Sequence, residues 1–216
     1  MSAPNEPLDP DDLWFLEAAA ELRTPLRMLL GREVAPTLNM PRSHGLSREA
    51  LGAKLTSLSD RGLIRIHSAQ DESVVAQTHA DIDLAWSKGK YSEPGGFIYG
   101  LTARGGELWE RHARPDWSRY VDVTVGYQPD VCVIEAASRE AAEAVYQRHA
   151  RGHEEHEPLE DSKQGEVLVP WRATYWKMLP MGYRLRYEWM YRRHGVLRPP
   201  PEPPPPPWYS SAVPTR

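Results

Sequence analysis

His149, His153 and His156 follow one another at steps of four and three, which on a continuous helix would put three imidazoles on one face. With Glu154 or Glu157 as an oxygen donor, such a set suits zinc. Gly152, however, stands where the helix should end, and no second cluster of ligands occurs elsewhere in the chain. The segment therefore reads as the polar, titrating end of a helix, and no metal is expected. The remaining chemistry-bearing groups are basic and aromatic. Arg48, Lys54, Arg61 and Arg65 recur along one segment, while Tyr183, Leu185, Tyr187, Trp189 and Tyr191 alternate with Arg184, Arg186, Glu188 and Met190 along another. Trp171, Tyr175 and Trp176, with Arg172 and Lys177 beside them, extend the second group. An aromatic platform rimmed by arginine stacks single-stranded bases or holds an acidic ligand. The same alternation also describes a strand whose aromatics lie under a helix and whose arginines face water. The phosphate-binding glycine loop, the nucleophile elbow and a recognisable carboxylate pair are all missing, so the sequence argues against an enzyme and no cofactor is expected.

The elements that would carry these residues are legible from caps and periodicity. Asp9-Pro10-Asp11-Asp12 opens a first helix, because Asp9 can cap free N–H groups and Pro10 suits the first turn. Thr24-Pro25 repeats that signal and predicts a second short helix over residues 26–30, ending near Gly31; residues 34–45 read as loop. Ser47 is the expected N-cap of the next helix, whose Leu51, Leu55 and Leu58 share one face, and Gly62 suits its left-handed end. Leu63-Ile64-Arg65-Ile66-His67 then alternates as a strand. Residues 97–101 read as its return strand, and Thr102 caps a helix through Leu108.

Leu51, Leu55, Leu58, Gly62, Leu63 and Ile64 resemble the recognition helix and first wing strand of MarR-type and PadR-type winged-helix regulators. Tyr99, Leu101, Thr102, Gly105 and Leu108 are similar to the second wing strand and the helix after it. The resemblance covers about residues 10–115. It implies a winged helix-turn-helix with an enlarged wing, residues 68–96, that carries Asp71, Glu72, Asp81, Asp83 and Glu93 against Lys88 and Lys90.

Beyond it, Tyr120 to Val125 and Val131 to Ile134 read as strands, Ser138 caps a helix to about Arg151, and Trp171 to Met178 and Tyr183 to Tyr191 read as further strand. The expected fold class is α+β. Residues 1–118 form the winged-helix domain, residues 119–196 a small antiparallel α+β domain, and residues 197–216 a proline-rich flexible tail. Residues 1–118 hold 13 Lys/Arg against 17 Asp/Glu whereas residues 167–198 hold seven basic groups and one acid, Glu188, so the positive field belongs to the second half. The single cysteine, Cys132, excludes an internal disulfide and sits in an apolar run as a small core residue. No apolar stretch is long enough to cross a bilayer, and a cytoplasmic protein is expected.

The resemblance implies a DNA-binding transcriptional regulator, with a homodimer as one form, in which Arg48, Lys54, Arg61 and Arg65 contact duplex DNA. The second domain then serves as a sensor or interaction module, with Arg172, Trp176, Lys177, Arg184 and Arg186 as its ligand or partner surface. The alternative is a non-enzymatic protein-binding module, an adaptor or a neutralising, immunity-type protein, that uses the acidic wing and the aromatic-basic hairpin.

Overall fold

A computed structural model describes residues 7–31, 34–88, 96–127, 130–152, 156–191 and 207–213. The chain forms two compact units: Met1–Arg114 with Thr174–Trp176 and Ser210–Arg216, and Pro115–Ala173 with Lys177–Tyr209. Two segments from far along the chain join the N-terminal unit.

In that unit α1 (Pro10–Ala18) starts at Asp9, whose carboxylate accepts the N–H groups of Asp11 at 2.9 Å and Asp12 at 2.7 Å. Its Trp14, Phe15 and Leu16 are fully buried. The expected second short helix forms over Leu26–Leu30 and ends at Gly31, but as a 3₁₀ helix, and Thr24-Pro25 ahead of it supplies no side-chain cap. Thr24–Pro25 instead forms a short strand, β1. The proline steers Thr24 to an extended backbone, and Thr24 finds Tyr99 to pair with. A single helical turn, α2 (Val34–Thr37), interrupts the expected loop.

α3 (Arg48–Asp60) is capped by Ser47 and buries Leu51, Leu55 and Leu58. Gly62, with φ +67°, makes the left-handed turn into β2 (Ile64–Ser68). Between β2 and its return strand, within the connection expected to form the enlarged wing, lies a helix, α4 (His79–Ser87). Thr78 and Asp81 form a reciprocal capping box, and Ile82, Ala85 and Trp86 supply its buried face. β3 (Phe97–Leu101) pairs antiparallel with both β1 and β2, so the sheet runs β1-β3-β2, with Ile64 opposite Leu101 and Ile66 opposite Tyr99. Thr102 caps α5 (Ala103–Ala113), and its hydroxyl also donates to the Gly62 carbonyl at 2.6 Å, tying the start of α5 to the end of α3.

The second unit is antiparallel throughout. β4 (Val121–Tyr127) pairs with β5 (Asp130–Ala136), and β5 pairs with the long β10 (Gly182–Tyr191). The far side of β10 takes β7 (Gln164–Leu168) along its first half and β6 (His156–Pro158) along its second. α6 (Arg139–Gly152) covers one face, where Ala142, Val145 and Tyr146 meet Cys132, Ile134, Ala136, Leu185, Tyr187 and Trp189. Tyr187 and Trp189 of β10 are therefore core, at 2 % and 4 % exposed, and Tyr183 packs half-buried against the same cluster, so these three rings offer no stacking platform. The continuous strand expected over residues 171–178 is also corrected. Only β8 (Trp171–Arg172) and β9 (Met178–Leu179) are extended, and they pair with each other. Within this unit Trp208 packs against Trp117 and Tyr120, so this part of the expected flexible tail is docked. The mixed α+β class holds for both units, and no described helix is long and apolar enough to cross a membrane.

Candidate functional site

The basic residues of α3 face acids of their own unit. Lys54 Nζ lies 2.7 Å from Asp9 Oδ2 and 2.9 Å from Asp12 Oδ1, and Arg61 Nη1 lies 2.8 Å from Asp12 Oδ2. Asp12 is almost wholly buried, and the two cations give this buried carboxylate its charge partners. Partial burial pushes the Asp9 carboxyl up, but hydrogen bonds from Lys54 and from the Asp12 and Asp11 N–H groups outweigh it and hold the group below its usual range. The same contacts, opposed by burial, raise Lys54 above an ordinary lysine.

Arg48 reaches Asp83 of α4 at 3.0 Å and lies over the Trp86 ring, 5.3 Å from its centroid. Four residues on, Gly52 is packed against the His79 ring. Contacts 48 to 83 and 52 to 79 mean that α4 runs antiparallel along α3 and covers one side of it. A side chain at 52 would displace His79, which is why glycine stands there. Arg65 on β2 donates to the Glu72 carbonyl at 2.7 Å. All four cations assigned to groove contacts therefore have partners within their own unit. The row that α3 leaves to water is Glu49, Ala53, Ser57 and Asp60, spaced as one helical face, with an acid at each end and no cation.

α4 presents the opposite side of the wing. Ala80, Leu84 and Ser87 are exposed at steps of four and three, and Leu84 is 57 % exposed. Leu84 was missed by the sequence reading. The signal that could have found it was Thr78-x-x-Asp81 ahead of Ile82, Ala85 and Trp86, which defines the helix and so its free face.

The five residues expected to form one surface in the second domain divide three ways. Trp176 belongs to the N-terminal unit, where its indole N–H donates to the Ala20 carbonyl at 2.7 Å and its ring meets Trp109 edge-on against Gly106. Arg172 is exposed on β8, and Lys177 lies 5.4 Å over the Trp117 ring. Arg184 and Arg186 do come together, on the face of the five-stranded sheet turned away from α6. There they line a cavity of about 660 Å³ with Thr124, Val133, Glu135, Gln164, Gly165 and Glu166. Arg184 is saturated: it bonds Glu135 through Nε at 2.8 Å and Nη2 at 2.7 Å, and Glu166 through Nη1 at 2.6 Å. The other Glu135 oxygen accepts the Trp171 indole N–H at 3.0 Å.

On α6, His149 Nδ1 is 2.6 Å from the Tyr187 hydroxyl, while His153 lies outside the described residues. No group of three or more His, Cys, Asp or Glu among the described residues is arranged to hold a metal ion. No protein-family model, curated protein or solved structure matches this chain.

Proposed function

We propose that the chain is a non-enzymatic, cytoplasmic protein-binding module in which a winged-helix arrangement serves as scaffold and the enlarged wing docks a basic partner. The sheet order β1-β3-β2, with α3 entering β2 and α5 leaving β3, supports the winged-helix reading. One observation carries the choice of partner. Arg48, Lys54, Arg61 and Arg65 are all engaged by groups of their own unit, and the exposed row of α3 holds Glu49 and Asp60. A phosphate backbone rewards free cations and repels that row. A protein with a basic rim and an apolar anchor suits the free stripe of α4, where Leu84 stands exposed beside Asp81. The lone buried Cys132 is compatible with a reducing compartment.

The test is capture from native lysate with and without nuclease, together with anisotropy of labelled mixed duplex DNA across a salt series. A nuclease-resistant protein partner that is lost on Leu84→Asp, with no saturable DNA binding, is the expected result. DNA binding that weakens with salt and falls on Arg48→Ala and Lys54→Ala returns the assignment to a DNA-binding regulator.

A further inference from the structure

The open face of the second unit's sheet carries a row of polar side chains with nothing to bind. Strand register puts Thr124 of β4 opposite Val133 of β5, Val133 opposite Arg186 of β10, and Arg186 opposite Gln164 of β7. The Thr124 hydroxyl, the Arg186 guanidinium and the Gln164 amide make no hydrogen bond or ion pair with any described residue, although all three line the cavity of about 660 Å³. That volume lies within the range of about 300–1,000 Å³ of small-molecule sites.

The neighbouring row is the contrary case. Arg184 satisfies Glu135 and Glu166, and this acid-rich trio is anionic overall. Two residues along a strand separate the rows by about 7 Å. The cavity is thus polarised along the strand direction: a cationic end with two neutral hydrogen-bonding side chains, an apolar floor at Val133, and an anionic end at which Glu166 is more than half exposed.

We propose that this cavity binds a small hydroxylated anion, with its carboxylate or phosphate on Arg186, Thr124 and Gln164 and its hydroxyl groups directed to Glu166. The guanidinium fork matches either anion, and Gln164 of the adjacent β7 and Thr124 of β4, on the far side of β5, complete its coordination from the same cross-strand row. A purely anionic ligand gains nothing from the Glu166 end, and a neutral polyol gains nothing from Arg186, so the site selects for molecules that carry both. This site lies within the second unit alone and does not depend on the proposed wing surface.

The test uses the ¹⁵N-labelled full chain titrated with glycerol 3-phosphate, with glycerate and with glycerol. Expected are saturable amide shifts clustered at Thr124, Gln164 and Gly165 for at least one of the two anions, and none for glycerol. Comparison of the two anions identifies the preferred headgroup. Arg186→Gln should weaken binding by at least about tenfold, the scale of one charge-assisted hydrogen bond, and Arg186→Lys should weaken it less. Absence of saturable shifts from either anion up to about 50 mM overturns the proposal, since binding weaker than that is under about 2 kcal/mol. Shifts scattered away from the cavity, or unchanged in both Arg186 variants, overturn it equally.

Discussion

Gly105 lies directly against the backbone carbonyl of Leu63: a Cβ at position 105 would overlap that oxygen. The same carbonyl accepts the Thr102 N–H at 3.0 Å, so the first turn of α5 is seated on the bend between α3 and β2. Because the obstacle is backbone, no side-chain rotation relieves it. Gly105→Ala is therefore expected to destabilise the protein by about 3 kcal/mol despite alanine's better helix propensity, measured as a fall in the denaturant midpoint. A change within about 0.5 kcal/mol would mean that the two segments are not held together in this way.

Asp12 is the shared partner of Lys54 and Arg61, and its side chain is 3 % exposed. Removing it takes from Lys54 and Arg61 the buried acid they share, leaving Lys54 with Asp9, and removes one arm of the α1 capping box. Asp12→Ala is expected to cost about 3 kcal/mol by equilibrium unfolding. Lys54→Met should cost clearly less, because Arg61 still neutralises Asp12 and the thioether keeps the apolar stem. Equal losses would argue that the cations serve something other than the fold.

Glu17 accepts the Ser211 hydroxyl and the Ala212 N–H, each at 2.6 Å, and is 6 % exposed. Burial raises its carboxyl above the ordinary glutamate value, and these hydrogen bonds only partly offset the rise. The folded state therefore binds the proton more tightly than the unfolded chain. The resulting stabilisation is complete below about pH 4.3, the unfolded value, and is lost as pH rises through the folded one. Wild type should gain stability relative to Glu17→Gln as pH falls from 7 towards 4. Asp9 acts in the opposite sense and lower down: its pKa is lowered, so its contribution is present above about pH 3.9 and disappears below it. A stability difference between wild type and Glu17→Gln that stays flat from pH 7 to 4 would contradict the burial of this carboxylate.

The parts of the fold that could be read from sequence are those with a local signal. Ser47, Gly62 and Thr102 each announce a cap or a turn within three or four residues, and the strands they bracket pair as the alternation of Ile64, Ile66, Tyr99 and Leu101 implies. α4 carried an equally local signal at Thr78 and Asp81, inside the connection read as an enlarged acidic wing. Tyr175 and Trp176 were placed wrongly for a different reason. Periodicity reports which residues are apolar and not where they go, and these two bond to the carbonyls of Ala19 and Ala20, 156 residues away. Arg184 and Arg186 were legible because they are neighbours on one strand. Thr124 and Gln164 were not, because only the register of β4, β5, β10 and β7 brings them beside Arg186.

Proline-rich composition suggested that everything after residue 196 is free in solution, yet Trp208 is held on three sides within the second unit. Its ring centroid is 4.9 Å from that of Trp117 and 4.7 Å from that of Tyr120, and its carbonyl accepts the Asp116 N–H at 2.8 Å. A free tail would tolerate Trp208→Ala with no change in stability. Docking predicts a loss of about 2 kcal/mol, below the full value for a buried indole because the ring is only partly enclosed. Denaturant unfolding of Trp208→Ala followed by circular dichroism separates the two, since the backbone signal does not depend on the deleted indole's own fluorescence. Trp208→Phe should recover about half of the loss, because an aromatic ring would still meet Tyr120 edge-on and Trp117 at a tilt.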